Sequence, residues 1–365
     1  MPQTLHSNPI SSSDPASQVV ERVKIGIVGL NWGQHVIENE ILRGRGSSFF
    51  ELAGVCSQEK EQTRDAANRY GVPGYNDLSA LLNDPEIAAV GLMTGPTHRA
   101  QLIRQIIEAG KDVMTTKPFE LDSNEGLAVL HRARELGRIV HLNSPSPTPS
   151  PDVAQIMAWQ KELELGRPVA ARADIWANYR ETNEDSWYDD LNLCPVAPIF
   201  RLGIYLINDL LRLFGAVESV GVVSSHIFTG RPTPDNAQLC LKFKNGALAN
   251  VFASFCINDA QWWLSSLTLN YENGTIYRNA GPVERPDQRE HPLLHVVTSQ
   301  DGKAVTRSMT AAGSTEDYQW ETFHRAIRGE ALPGQLTPEE TIASVRVIQA
   351  MSRAEKTGQR ESIEA

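Results

Sequence analysis

Apolar runs and amphipathic stretches alternate along the first 143 residues of the chain. Each apolar run contains β-branched residues and stops at glycine or at polar residues, as a strand buried on both faces does. The stretches between the runs place apolar residues at helical spacing and mostly end at a glycine. The runs cover residues 23–30, 49–57, 87–94, 112–116 and 138–143. This alternation predicts a parallel sheet with helices on both faces.

The pattern changes after residue 143. Alternating prolines at 144–151 cannot continue a helix or a central strand, so they mark a domain boundary. After one more helix, apolar and polar residues alternate one by one, which indicates antiparallel strands. Asn-Gly pairs separate such runs at 244–246 and 272–274, and Asn-Gly is a strong hairpin signal. Two predicted helices, near 316–329 and 338–357, close the chain.

These patterns divide the chain into three segments. We expect a flexible N-terminal tail at 1–22, an α/β domain with a parallel sheet at 23–145, and a second α/β domain at 146–365 with a large, mainly antiparallel open sheet. The tail is rich in serine and proline and lacks the apolar segment of a signal peptide.

Charge and cysteine content narrow the function classes. The net charge is −10, and lysines and arginines are scattered, which argues against nucleic acid or anionic membranes as partners. No apolar run approaches the length of a membrane span. The four cysteines form no CxxC pair and have no histidine at metal-ligand spacing, so we expect buried, reduced thiols and no metal. The cytoplasm is the expected location and a small molecule the expected partner.

The sequence GLNWGQH at 29–35 directly follows the first predicted strand. A glycine turn and the first amide groups of the next helix form a cradle for a pyrophosphate. The usual GxGxxG fingerprint has a glycine where this loop has Asn31. The place of the loop in a parallel sheet favours a dinucleotide over a plain tight turn. The residues expected to contact the cofactor here are Gly29, Leu30, Asn31, Trp32 and Gly33.

The end of the second predicted strand bears on the choice of cofactor. It lacks the Asp or Glu that holds a ribose 2′-hydroxyl, and Ser57 and Gln58 stand there instead. No arginine is immediately adjacent to bind a 2′-phosphate, although Lys60 and Arg64 are close in sequence. NAD and NADP therefore both remain open, with Ser57 and Gln58 as expected contacts.

Four segments occur in an order and spacing that resemble a known family. They are TGPTH at 94–98, TTKPFE at 115–120, FRLGIYLINDLLRLFG at 200–215 and LTPEETIASVRVIQAMSRAEKTGQ at 336–359. Together they resemble the Gfo/Idh/MocA family of glucose–fructose oxidoreductases and inositol dehydrogenases. The resemblance implies a Rossmann domain, with a doubly wound parallel sheet that binds NAD or NADP. It also implies a second domain whose open sheet often forms the interface of a homodimer or homotetramer.

The resemblance places Lys117 beside the nicotinamide and the reacting carbon. The family's Glu-Lys-Pro triplet is Thr116, Lys117 and Pro118 here, and the X-Pro bond can be cis. Removing hydride from a secondary alcohol also requires loss of the hydroxyl proton. An ammonium group stabilises alkoxide character and lowers the pKa of a neighbouring phenol. From the residues alone, a surface lysine after a strand is the alternative.

The resemblance also implies cofactor contacts at the ends of the third and fourth predicted strands. For His98 the alternative is that it merely begins a helix. The residues concerned are Thr94, Gly95, Pro96, His98 and Thr116.

The family's second catalytic segment usually reads Asp-x-Gly-x-His, with tyrosine replacing histidine in some members. Here Arg201 and Tyr205 stand at the first and last positions, four residues apart and so on one helix face. Tyr205 is the expected proton donor and acceptor, assisted by Lys117, with a packed aromatic residue as the alternative. Asn208 stands where many members have a second aspartate, and we expect it at the substrate.

Arg201 departs from the family pattern, because an arginine cannot act as a base. Two interpretations compete. Arg201 could bind a carboxylate or phosphate of an anionic substrate. Alternatively, it pairs with a local acid such as Asp189 or Asp190 and is structural. In the segment 186–190, Trp187 could stack on a sugar ring, or the segment is an ordinary loop with aromatic anchors.

The leading hypothesis is an NAD(P)-dependent oxidoreductase that transfers hydride between nicotinamide and a secondary alcohol or ketone of a sugar, polyol or related ring. Lys117 would polarise the oxygen and Tyr205 would move the proton. Two alternatives remain: a glycosidase of the same scaffold that retains its cofactor, and a non-catalytic regulator that senses a dinucleotide or sugar.

Overall fold

The computed structural model describes residues 20–182, 186–259, 263–281 and 291–364. Within these ranges, six parallel strands form the first sheet in the order β3-β2-β1-β4-β5-β6. The strands are β1 (Val23–Val28), β2 (Phe50–Cys56), β3 (Gly74–Tyr75), β4 (Ala89–Leu92), β5 (Asp112–Thr115) and β6 (Val140–Leu142). The strand order reverses between β1 and β4, where ligands of doubly wound sheets bind. The predicted Rossmann sheet is confirmed.

Helices cover both faces of this sheet. They are α1 (Leu30–Val36), α2 (Lys60–Tyr70), α3 (Leu78–Leu82), α4 (Arg99–Glu108) and α5 (Ser123–Glu135). α1 continues into a π-helical segment, Ile37–Ile41. α5 is capped by Asp122, whose Oδ1 accepts from the amides of Asn124 at 2.8 Å and Glu125 at 3.2 Å. An aspartate carboxylate is a strong N-cap acceptor, so the helix begins at Ser123, one residue earlier than a cap at Ser123 would place it.

In the described part of the chain, nine strands form the second sheet in the order β14-β13-β12-β11-β7-β10-β9-β8-β15. β7 and β10 pair in parallel at its centre, and the other neighbours pair antiparallel. The strands are β7 (Pro168–Ala177), β8 (Val217–Ser225), β9 (Asn236–Phe243), β10 (Leu248–Ser254), β11 (Trp263–Tyr271), β12 (Gly274–Arg278), β13 (Leu293–Gln300), β14 (Lys303–Thr310) and β15 (Glu361–Ser362). Both Asn-Gly sites join antiparallel neighbours, as predicted.

The inner face of the second sheet packs against α6 (Pro151–Glu162) and α7 (Ile204–Phe214). Its outer face is partly apolar, with Val223 75% exposed and Cys240 also exposed. The expectation of four buried thiols is therefore wrong for Cys240, because every second residue of β9 points outwards. Among the described residues, no helix combines the length and apolarity that a membrane crossing requires.

Both of the last two helices contact the Rossmann domain, and α9 also contacts the second domain. α8 (Trp320–Ile327) packs Trp320 and Phe323 against Phe50 of β2, with ring centroids 5.3 and 5.4 Å apart. α9 (Pro338–Thr357) places its first half in the core of the Rossmann domain and its second half in the core of the other domain. α8 begins four residues later than the sequence predicts, because the segment before it turns towards the Rossmann domain.

A buried ion cluster ties three elements of the second domain together. Nη1 of Arg278, on β12, lies 2.7 Å from Oδ2 of Asp152 on α6 and 2.7 Å from Oδ2 of Asp209 on α7. Burial raises the pKa of Asp209 to about 7, although the Arg278 guanidinium opposes this rise. All three side chains are almost fully buried.

Replacing Arg278 with methionine should therefore destabilise the protein strongly. Removing the cation leaves two buried carboxylates without their partner, which we expect to lower the free energy of unfolding by about 3–5 kcal/mol. Urea denaturation measures this change. The control is Arg307→Met, since the Arg307–Glu162 pair is exposed on both sides and should leave the midpoint nearly unchanged. Equal midpoints for the two variants would contradict the prediction.

Candidate active site

The glycine loop after β1 forms a close-packed cradle. Gly29 has φ of 87°, and a Cβ there would lie 2.9 Å from the carbonyl carbon of Met93 and 3.0 Å from the amide nitrogen of Thr94. A Cβ at Gly33 would lie 3.0 Å from Cγ2 of Ile27. Leu30 is buried, whereas Asn31 and Trp32 are exposed at the mouth of the loop. Backbone atoms close one side of this cradle, and its other side is open at Asn31 and Trp32, which fits a bound pyrophosphate.

Hydrogen bonds join the end of β2 to the same loop. The Ser57 hydroxyl donates to Oε1 of Gln62 at 2.6 Å, and Nε2 of Gln62 donates to Oδ1 of Asn31 at 2.9 Å. Gln58 is exposed beside them. The sequence analysis did not select Gln62, because periodicity alone does not say that the first turn of α2 faces α1.

Tyr318 reaches the cradle from the segment before α8. Its hydroxyl accepts a 3.0 Å hydrogen bond from the Trp32 indole N–H and donates to Sδ of Met93 at 3.8 Å. Tyr318 thereby links the cofactor loop to the end of β4. No local signal in the sequence could have identified Tyr318, since it lies 286 residues from Trp32.

Arg99 holds the ends of β4 and β5 together. Its guanidinium is buried and donates to the backbone carbonyls of Thr94, Thr116 and Pro118. Burial lowers the pKa of Arg99 to about 10, which leaves the group charged at neutral pH. The preceding residue, His98, is exposed and begins α4 with a left-handed φ of 56°. The sequence analysis selected His98 and missed Arg99, because a buried arginine on an amphipathic helix looks like a solvated one.

Lys117 lies between the two domains. Its Nζ donates to the backbone carbonyl of Arg201 and lies 4.8 Å from the centroid of the Tyr205 ring. The Lys117 amide donates to Oδ1 of Asn143 at 3.1 Å, and Nδ2 of Asn143 donates to the Tyr205 hydroxyl at 3.3 Å. The Lys117–Pro118 bond is cis. Asn143, directly after β6, is a site residue that the sequence analysis missed.

Burial changes the protonation of both groups. It lowers the pKa of Lys117 to about 7, and the charges of Arg201 and Arg99 contribute to the same effect. It also raises the pKa of Tyr205 well above its ordinary value. The expectation that Lys117 lowers the pKa of this phenol is therefore wrong. The tyrosine is dehydrated, with Trp263 packed edge-on at 5.8 Å, and the ammonium faces the ring rather than the hydroxyl.

Arg201 is already paired. Its guanidinium binds both carboxylate oxygens of Glu181, at 2.5 and 2.9 Å, and lies 4.1 Å from the ring centroid of Tyr188. This contact favours the structural interpretation of Arg201, but with Glu181 as the acid. Asp189 is 3.3 Å from Arg231, and Asp190 accepts from a neighbouring amide. Glu181 precedes Arg201 by 20 residues, so helical spacing could not reveal it.

The two remaining predicted substrate residues, Trp187 and Asn208, lie at different places in the structure. A Cβ on Gly95 would lie 3.3 Å from the Trp187 indole, so Trp187 packs on the end of β4. Asn208 instead donates to the Ser144 hydroxyl at 2.8 Å and is buried beneath the connection between the domains. Thr94 and Pro96 flank Gly95 after β4, and Thr116 directly follows the neighbouring strand β5.

Comparisons with known sequences assign the two domains to one family. Residues 23–144 match the family described as "Oxidoreductase family, NAD-binding Rossmann fold", and residues 153–277 match the "GFO/IDH/MocA C-terminal domain". Dehydrogenase aclE of Aspergillus oryzae is 27% identical over 57% of this chain, but the match spans 59% of that protein. D-xylose 1-dehydrogenase (NADP(+)) 2 of Haloferax volcanii is 23% identical over 86% of this chain and 92% of its own length.

Solved structures share the fold over nearly the whole chain. Levoglucosan dehydrogenase, in complex with NADH and levoglucosan, has a TM-score of 0.74 at 16% identity, covering 94% of this chain and 100% of that one. The WlbA dehydrogenase from Bordetella pertussis, in complex with NADH and UDP-GlcNAcA, has a TM-score of 0.67 at 18% identity, with 94% and 100% coverage. At these identities the likeness concerns the fold.

Replacing Tyr318 with phenylalanine should weaken cofactor binding. The change removes the acceptor of the Trp32 indole N–H, worth about 1 kcal/mol, so we expect the Kd of NADH or NADPH to rise roughly fivefold. Fluorescence titration measures it. The control is Tyr70→Phe, which removes a 2.8 Å hydrogen bond to Glu38 in the same domain. A Kd that responds equally to both changes would refute the link through Tyr318.

Proposed function

Because the chain belongs to the Gfo/Idh/MocA family of NAD-binding oxidoreductases, we propose that it transfers hydride between nicotinamide and a secondary alcohol or ketone of a sugar, polyol or related ring. The observation that carries this proposal is the convergence of Lys117, Asn143 and Tyr205 between the two domains. The relatives named above are dehydrogenases, which favours neither a cofactor-retaining glycosidase nor a sensor.

The cofactor, NAD or NADP, would lie across the ends of β1, β4 and β5. When bound, the nicotinamide supplies the hydride acceptor for oxidation or the donor for reduction. The residues proposed to hold it are Gly29, Leu30, Asn31, Trp32, Gly33, Ser57, Gln58, Thr94, Gly95, Pro96, His98, Thr116 and Lys117. Gly29 and Gly33 allow close approach of the pyrophosphate, and Tyr318 keeps Trp32 in place.

Lys117 is the proposed proton carrier. With its pKa near 7, the neutral amine is well populated and can accept the hydroxyl proton as the alcohol is oxidised. Tyr205 has a pKa well above its ordinary value, so its hydroxyl stays protonated and orients the substrate oxygen by donating a hydrogen bond. This assignment reverses the roles that the sequence analysis expected for the two residues.

The outer face of the second sheet is the proposed subunit interface of a homodimer or homotetramer. Val223 and Leu248 are 75% and 54% exposed there, beside the half-buried rings of Phe252 and Trp176. Their side chains lie on one face because they pair across β8, β9, β10 and β7 in register. Apolar surface of this kind favours association. Light scattering measures the mass in solution.

Reduction of NAD⁺ or NADP⁺ by a panel of aldoses, polyols and inositols tests the function. We expect Lys117→Met to lower kcat by about 10²–10⁴, because proton transfer is lost. The matched control is Lys111→Met, since Lys111 is also buried with its ammonium on backbone carbonyls but lies away from the cleft. A panel that gives no reduction refutes the function. Turnover by Lys117→Met at the rate of the control refutes the role of Lys117.

The pH dependence of kcat should report the pKa of Lys117. Oxidation requires the neutral amine, so kcat for oxidation should rise with pH and level off above about 7. Reduction requires the ammonium, so kcat for reduction should fall over the same range. Stopped-flow or steady-state rates from pH 5 to 10 measure both. A midpoint near that of a free tyrosine or lysine would contradict the assignment.

A further inference from the structure

Charged side chains on the substrate side of the cleft are arranged in compensating pairs. Arg201 binds Glu181 bidentately, and Arg231 lies 3.2 Å from the same carboxylate and 3.3 Å from Asp189. The side chains of Arg201, Arg231 and Asp189 are 12%, 4% and 5% exposed, whereas Glu181 is 31% exposed. Thus the carboxylate is the most accessible group of this cluster, and the cluster carries no net charge.

The cluster adjoins the proposed reaction centre. The backbone carbonyl of Arg201 accepts from Nζ of Lys117, so the Arg201 guanidinium extends from a residue that contacts the proton carrier. Tyr188, Tyr179 and Phe255 surround that guanidinium, with ring centroids 4.1, 5.0 and 4.9 Å away. The aromatic rings restrict its movement, and Glu181 occupies donors on Nη1 and Nη2, so an incoming carboxylate would have to compete with Glu181 for this end of the guanidinium.

From this geometry we propose that Glu181 determines substrate charge, and that the protein takes an uncharged hydroxylated ring and excludes rings that carry a carboxylate or phosphate. The inference rests on the proposed function and defines its substrate class. An anion would have to displace Glu181 from Arg201 while approaching a carboxylate that is itself accessible. A neutral ring can instead donate a hydroxyl hydrogen bond to Glu181 and lay its apolar face on Trp187.

The test compares matched sugars that differ in charge. The pairs are D-glucose with D-glucuronate, D-galactose with D-galacturonate, and D-glucose with D-glucose 6-phosphate. For the unchanged protein we expect kcat/KM for each neutral member to exceed that of its anionic partner about 100-fold or more, because the most accessible charged group of the neutral cluster is the Glu181 carboxylate, which repels an anion at short range. Glu181→Gln removes one negative charge and frees Arg201, so we expect this ratio to fall about tenfold or more.

Three variants complete the test. Glu181→Asp keeps the charge and should keep a ratio near that of the unchanged protein, which separates charge from packing. Glu272→Gln is the matched control, because Oε1 of Glu272 also accepts two guanidinium hydrogen bonds, from Nη2 and Nε of Arg167 at 2.5 and 2.8 Å, but on the exposed surface. Glu181→Ala removes more of the side chain than the other two changes at this position and shows whether the loss of packing unfolds the protein. Thermal denaturation of all four variants measures their stability.

The outcomes separate this inference from the proposed function. Turnover of neutral sugars with a ratio that Glu181→Gln leaves unchanged overturns the role of Glu181 while the function stands. Equal turnover of both members of a pair by the unchanged protein overturns the substrate class. Turnover of the anionic members alone also overturns the substrate class while the function stands. If no member of any pair is turned over, the proposed function itself fails and this inference with it.

Discussion

A single buried guanidinium organises the candidate active site. Arg99 binds the carbonyls of Thr94, Thr116 and Pro118, which follow two different strands of the parallel sheet. A buried cation is costly unless hydrogen bonds and opposite charge offset its loss of water, and here the Glu120 carboxylate lies close by. Because the three carbonyls share one rigid planar donor, the backbone that presents Lys117 has little freedom to move.

Burial between the two domains sets the protonation of Lys117 and Tyr205. The ammonium of Lys117 lies in the gap between the domains, where it is shielded from water. That burial and the charges of Arg201 and Arg99 lower the pKa of Lys117 to about 7. The same burial moves the pKa of Tyr205 in the opposite direction, because its charged form is an anion. One dehydrated cleft therefore yields a group that can exchange a proton at neutral pH and a neighbour that stays protonated. Their division of roles follows from burial more than from residue type.

The sequence predicted what depends on local pattern. Strand and helix alternation, the Asn-Gly hairpins and the position of Lys117 after a buried strand follow from periodicity and from four motifs. The partners of these residues did not follow, because Asn143, Glu181 and Tyr318 meet the site across contacts set by the whole fold. Arg201 is an example of a residue whose partner the sequence could not predict. Its charge could be read from the sequence, but whether a substrate or a carboxylate of the chain neutralises it depends on the folded loop.

The chain crosses between the domains at 144–150 and again at 311–319, and the two crossings run side by side. The Thr148 hydroxyl donates to Oε1 of Gln319 at 2.9 Å, and Nε2 of Gln319 donates back to the Thr148 carbonyl at 3.3 Å. Because α9 also lies half in the core of each domain, three segments of the chain connect the two domains. The contact between Trp187 and Gly95 and the hydrogen bond from Lys117 to the Arg201 carbonyl both join one domain to the other, so a movement that parts the domains at this cleft would break both contacts together.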